Sequence, residues 1–457
     1  MTLSPLADAR FRRLFAAQAI ALAGTGLSTV ALALLAYDLA GGDAGLVLGA
    51  ALALKMIAYV GVAPVAGAFA GRLPRRALLV ALDIGRAACV LCLPFVDAMW
   101  QVFVLIFLLN AFSAGFTPTF QATIPDILPE EARYTRALSL SRLAYDLEAL
   151  LSPTLAALLL TAMSYHALFA FNAAAFLASA GLVLATRLPS GAPSELAGGP
   201  LAKLSFGVRA YLATPRLRGL LLVSLSVAAA GSMVIVNTVV YVRDRLGGDE
   251  TDMALAMAAF GGGSMLAALL LPRVLDRLPD RPVMLAGCGL MAAGLFLGLL
   301  MPALPGLLAL WTAIGLGYGL AQTPGGRLLR RSSGEADRPA YFSAQFALSH
   351  TCWLVAYPAA GWLGSAFGLP LAFVVLGLLA VCALLAAARA WPARDPEALE
   401  HEHRPDDHEH LHIHDSHHRH EHEGWQGPEP HRHRPHRHAH AFRIDAHHPR
   451  WPSQPAG

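Results

Sequence analysis

Residues 71–81 read GRLPRRALLVA and residues 276–286 read DRLPDRPVMLA, 205 positions later. The same spacing pairs Arg13 with Arg218, Gly26 with Gly231 and Pro153 with Pro358. One shared RLPxR would be weak. One offset that holds at separate places indicates a duplicated unit. Each copy of the motif leads into a run of apolar residues, so the next question is which solvent the duplicated unit meets.

Composition answers it. Of 457 residues, 56% are hydrophobic and 14% charged, against roughly 25% charged in soluble domains. Twelve apolar runs follow one another, the first at 14–38 and the last at 369–390. Each has about the twenty residues that a helix needs to cross the hydrocarbon. Their residues do not alternate in polarity, so the spans are helices rather than barrel strands. The start, MTLSPLADARFRRLFAAQ, leads into a span without a cleavage pattern, and that span is expected to be retained. None of the five cysteines belongs to a disulfide framework.

Arginine fixes the expected orientation. Arg10, Arg12 and Arg13 precede the first span, and alternate loops carry Arg72, Arg75 and Arg76, then Arg133 and Arg136, then Arg273, Arg277 and Arg281. The positive-inside rule puts these loops and both termini in the cytoplasm. Residues 188–217 interrupt the pattern. PSGAPSELAGGP reads as a linker, and KLSFGVRAYLATPRLR as a short helix on the membrane surface. The expected organisation is a six-helix half at 1–187, a cytoplasmic loop at 188–217, a second six-helix half at 218–391 and a tail at 392–457. Parallel repeats with a binding site between them are a secondary-transporter plan.

The loop GAFAGRLPRR resembles the G-x-x-x-D-R-x-x-R-R signature of the major facilitator superfamily. The resemblance carries over Gly67, Arg72, Arg75 and Arg76 as gating residues, with Asp276, Arg277 and Arg281 in the second copy. Gly71 stands where the family has Asp, and Asp276 keeps the acid. A narrower likeness runs through IPDILPEEARYTRALSLSRLAYDLEALLSPTLAALLL, residues 124–160. With the histidine-rich tail, it is similar to the NreB-type nickel-resistance permeases. That resemblance implies a bacterial inner-membrane exporter of Ni²⁺, with Co²⁺ or Zn²⁺ as related cargo, exchanged for protons. It implies no cofactor, no nucleic acid and no obligate protein partner.

Charge inside a span is costly and marks function by default. At 100° per residue, the fifth span carries two polar stripes. One holds Ser139, Arg142 and Asp146; the other holds Ser141, Tyr145, Glu148 and Ser152. Arg142 and Asp146 are four apart and can neutralise each other. Glu148 has no basic neighbour on its stripe. The repeat maps that stripe onto Phe346, His350, Trp353 and Tyr357. Glu148 and His350 are thus expected to approach one cavity. A carboxylate and an imidazole suit a borderline divalent ion, and either can carry a proton. The plainer reading is a packing carboxyl and a hydrogen-bonded histidine. Asn110 and Asn237 are further cavity candidates whose plainer role is interhelical hydrogen bonding. Lys55 would snorkel or pair, and Asp83 with Arg86 would form a structural ion pair.

The tail holds 17 of the 19 histidines. His401 and His403 open it, His408, His410, His412 and His414 follow, and then come His417, His418, His420 and His422. A second group is His431, His433, His436, His438 and His440. With few apolar residues, this segment is expected to lack a fold of its own. Many neutral imidazoles close together bind Ni²⁺, Co²⁺ or Zn²⁺. Their irregular spacing fits exchangeable ions rather than one structural zinc. Two rival readings remain: a drug or siderophore exporter with an incidental tail, and a metal sensor or store that does not transport. There is no nucleotide-binding loop and no catalytic constellation, so the chain does not read as an enzyme.

Overall fold

A computed structural model describes the backbone of residues 4–40, 44–70, 73–189 and 200–395, with 398–403, 407–408, 431–432, 436–441, 443–444 and 451 of the tail. The first half contains α1 (Ala9–Ala40), α2 (Ala44–Ala70), α3 (Arg75–Cys92), α4 (Met99–Ile127), α5 (Glu131–Leu160) and α6 (Tyr165–Leu184). A connecting helix, α7 (Pro200–Ala213), follows. The second half contains α8 (Pro215–Val240), α9 (Glu250–Leu275), α10 (Asp280–Leu297), α11 (Leu304–Gln322), the short α12 (Gly325–Ser332), α13 (Arg338–Phe367) and α14 (Leu369–Ala390). Leaving out α7 and α12, twelve long helices remain, six in each half.

Ten of these are long and apolar enough to cross a membrane, and α5 makes an eleventh once its 40° bend between Ser152 and Thr154 is allowed. The residue at that bend is Pro153, which lacks an N–H for the helical ladder. The twelfth, α13, is as long as its neighbours, but Arg338, Gln345, Ser349, His350 and Thr351 dilute its apolar character. Helices α5 and α13 stand 205 residues apart, so both halves place their polar residues on the equivalent helix, and this pair separates twelve helices from ten plainly apolar ones.

Small residues let the helices approach. A Cβ on Gly263 would meet the carbonyl oxygen of Thr312, and one on Gly315 would meet that of Phe260. Glycine is therefore what brings α9 against α11. The largest apolar core lies in the second half around Trp311, Tyr241 and Phe373. Its polar tips are satisfied: Trp311 Nε1 donates to Thr238 Oγ1 at 2.9 Å, and Tyr241 Oη to the Pro302 carbonyl at 2.9 Å, as buried polar groups require. Helix α7 packs against α13 and α2. Gly207 lies against the Ala340 carbonyl, and the buried Tyr211 donates to Gln345 Oε1.

In the tail, two short antiparallel ladders are described. β1 (Ala398–His403) pairs with β4 (His436–Ala441), and β2 (Asp407–His408) pairs with β3 (His431–Arg432). The rest of the segment expected to lack a fold lies outside the described residues, apart from 392–395, 443–444 and 451.

Candidate functional site

One end of the bundle carries the arginine-rich loops, and here the second half reaches into the first. Asp126, at the end of α4, accepts from Arg75 of its own half and forms an ion pair with Arg338 of the other. Arg327 on α12 pairs with Glu131 at 2.5 Å and donates to Thr135 Oγ1 at 2.6 Å, both on α5. It also pairs with Asp280 at 2.8 Å in its own half. Arg330 donates to the Pro129 carbonyl. Four arginines of the two halves thus close this basic end with ion pairs and charge-assisted hydrogen bonds.

Deeper in the membrane the halves meet twice more. Arg142 pairs with Asp146 at 2.5 Å, donates to Ser264 Oγ on α9 at 3.1 Å and stacks 4.6 Å over the Tyr318 ring on α11. On the other flank, Tyr59 of α2 meets the His350 ring edge-on at 4.8 Å and the Phe346 ring at 4.9 Å. Arg142 and Asp146 therefore join the halves on one flank, and His350 contacts the first half on the other.

The second polar stripe of α5 faces α1. Ser141 donates to Gln18 Oε1 at 3.1 Å, and Tyr145 interacts with the same amide. Ser152 Oγ lies 3.4 Å from Glu148 Oε1. A Cβ on Gly26 would collide with both Ser152 and Glu148, so the bare α1 backbone makes room for the carboxylate. The repeat reproduces this relation. Gly231, 205 positions after Gly26, clears Trp353, which stands 205 positions after Glu148. A carboxylate on one side and an indole on the other occupy equivalent places.

His350 Nδ1 lies 2.6 Å from the Phe346 carbonyl, one turn back on its own helix. A carbonyl only accepts, so Nδ1 carries the proton and Nε2 keeps a lone pair for a proton or a metal. Lys55, on α2, lies 5.6 Å from the centre of the Tyr59 ring and interacts electrostatically with both Glu148 and His350. It is one of two lysines in a chain whose 34 basic residues are otherwise arginine. Lys55, Tyr59 and His350 form a cluster, with Glu148 joined to it only through its electrostatic interaction with Lys55, and Lys55 is the residue whose importance its sequence position did not reveal.

The other predicted residues fall as follows. Asn237 donates to the Ala360 carbonyl at 3.1 Å, an interhelical packing bond, and Asn110 donates to Ile106 of its own helix at 2.8 Å. Asp83 and Arg86 pair, with Ser179 donating to Asp83 at 2.8 Å. Gly67 lies against Ser343 of the other half. Gly71 and Arg72 lie outside the described residues. Arg76, Asp276 and Arg277 are exposed, while Arg281 donates to the carbonyls of Ala388 and Trp391 at 2.7 and 2.9 Å. The buried acids of the gate are Asp126 and Asp280, which motif spacing did not single out. Among the described residues no three His, Cys, Asp or Glu side chains come together to hold a metal. Tail histidines 410, 412, 414, 417, 418, 420, 422 and 433 lie outside the described residues.

Comparison with known proteins agrees with this architecture. The Major Facilitator Superfamily model matches residues 14–247 and again 220–435. An uncharacterized MFS-type transporter, YfiS, of Bacillus subtilis is 29% identical over 216 residues, 46% of this chain and 51% of the relative. Macrolide efflux protein A of Streptococcus pyogenes is 24% identical over 185 residues, 39% of this chain and 45% of the relative. The chain thus spans about half the length of the curated relatives it matches. Among solved structures, a bacterial homologue of the iron transporter ferroportin in an outward-facing state superposes with a TM-score of 0.71 at 14% identity, covering 83% of this chain and 98% of that one. The human organic anion transporter MFSD10 gives a TM-score of 0.71 at 13% identity, with the same coverage. With two matches that together take in both halves, the chain belongs to the major facilitator superfamily.

Proposed function

We propose that the chain is a secondary active exporter of divalent metal ions, nickel first and cobalt next, from the cytoplasm of a bacterium in exchange for protons. The observation that carries the metal is the register of the tail. His401 stands opposite His438, His403 opposite His436 and His408 opposite His431. The backbone register thus sets histidine opposite histidine at three positions. With the arginine-rich end in the cytoplasm, the tail would gather ions where export begins. The bundle described here would then be the state closed to the cytoplasm.

In this reading Glu148 receives the cation and His350 Nε2 offers a second ligand or accepts the exchanged proton. Lys55 supplies a positive charge near Glu148 when no cation is present, and a divalent ion must compete with it. The test is cellular metal content by elemental analysis in cells with and without the protein, challenged in turn with Ni²⁺, Co²⁺, Zn²⁺ and Cu²⁺. Lower nickel, alone or with cobalt, supports the reading. Unchanged content for every metal overturns it.

A second reading, export of an organic cation, is favoured by the aromatic surroundings of the cluster. Tyr59 and Phe346 flank His350, and the Trp353 and Tyr357 rings meet at a tilt, 4.9 Å apart. One similar protein is a macrolide efflux protein. Protection of cells against aromatic cations, with no change in metal content, would select it.

A further inference from the structure

The tail returns to the gate. It leaves the bundle at Trp391, which is buried and packs against Gly219 of α8. Asp395 then pairs with Arg216 at 2.9 Å and Arg331 at 3.0 Å, and accepts from Trp391 Nε1 at 3.2 Å. Some fifty residues later the chain is back at the same place. Tyr341 Oη donates to the Ile444 carbonyl at 2.8 Å, and Ile444 is itself buried in the core of the second half. Arg443 lies beside Gly334. Trp451 packs on the same core, with the Arg216 guanidinium 5.3 Å from its ring centre. Arg216 therefore touches both ends of the loop that contains the histidines.

The elements held by these contacts are those of the gate. Tyr341 lies one turn beyond Arg338 on α13, and Arg338 bridges to Asp126 in the first half. Arg331, held by Asp395, belongs to the same short helix as Arg327, which binds α5, and Arg330, which donates to the Pro129 carbonyl just before α5. Opening the basic end requires the start of α13 and α12 to part from α4 and α5. A segment whose Ile444 is buried beside Tyr341 of α13 must either move with that helix or be released, and release exposes apolar surface to water.

We propose that Arg443, Ile444 and Trp451 hold the chain's own tail as a strap on α8, α13 and the loop before α13, and that this strap favours the state closed at the basic end. The proposal rests on the transporter reading but on no particular cargo. It is tested in the purified full chain without substrate. Thr135→Cys places a thiol at the buried partner of Arg327, between the halves, where alkylation reports opening. Reaction at this position is followed by mass spectrometry of its peptide. Ile444→Asp is expected to raise the rate by about tenfold, equivalent to 1.4 kcal/mol, and Ile444→Val to leave it near the parent value. Tyr341→Phe removes one hydroxyl and should raise the rate in the same direction, by less. Asp126→Asn, with the tail intact, is the positive control for opening. A rate unchanged by both Ile444→Asp and Tyr341→Phe, when Asp126→Asn increases it, overturns the strap. Failure of nickel export alone leaves these rates unaffected.

Discussion

Asp280 takes, in the second half, the place that Arg75 holds in the first, 205 positions earlier. Their partners are exchanged as well, since Arg331 stands 205 positions after Asp126. Arg75 binds Asp126, and Asp280 lies 4.0 Å from Arg331. The two halves thus keep one ion pair at the basic end with its charges reversed. The reversal has a consequence across the interface. Asp126 is an acid that Arg338 can bridge to, whereas a basic residue there would repel it.

Exchanging the charges of the first half separates pairing from gating. Arg75→Asp or Asp126→Arg alone leaves buried charge unpaired and should cost about 3–5 kcal/mol. The double exchange restores the pair within the half and should recover most of that stability in thermal unfolding. It does not restore the bridge to Arg338, so alkylation of Thr135→Cys should stay fast. Slow alkylation in the double exchange would mean that the Asp126–Arg338 bridge does not hold the gate.

Short distance alone does not make a strong bridge. Arg327 lies 2.5 Å from Glu131, but the glutamate side chain is 47% exposed. Solvent screens such a pair to about 0–1 kcal/mol. Glu131→Gln should therefore barely move the unfolding temperature, whereas Asp280→Asn, which removes the buried acid from Arg327 and Arg331, should lower it clearly. Equal effects would contradict this ranking.

The two carboxylates of α5 should part in their phenotypes. Asp146 is buried and neutralises Arg142, so Asp146→Asn should lower stability, with transport falling in step. Glu148→Gln should abolish transport in proteoliposomes while the unfolding temperature stays close to that of the parent. Lys55→Met removes the charge that competes with a cation and should tighten Ni²⁺ binding to the tail-truncated protein, while Lys55→Arg should not. Looser binding in Lys55→Met would assign the lysine a supporting rather than a competing role.

The length of the truncation should matter at the tail. A chain ending after Asp395 keeps the acid between Arg216 and Arg331, and its metal export should be weakened but present. A chain ending after Trp391 leaves both arginines without that acid and should be less stable by roughly 1–3 kcal/mol. Expression level and unfolding temperature of the two truncations, measured side by side, check the difference.

Much was legible in sequence because its causes are local or repeated. Twelve apolar segments, two related halves and the family signature follow from composition and from one offset holding at several places. Within α5, periodicity alone separated the stripe of Asp146 from that of Glu148, since helical geometry fixes which residues share a face. The sequence also set the Arg142–Asp146 pair, four residues apart on one helix. What it could not decide were partners distant in the chain. Nothing near Asp126 names Arg338, and nothing near Lys55 names Glu148 or His350. The gate was sought at Asp276, which is exposed, while the buried acid is Asp280, one turn further along. Hydropathy showed a tail leaving the bundle but could not show Ile444 returning to Tyr341. Those pairings depend on how helices cross and on which charges lose water together, and only the tertiary structure determines that.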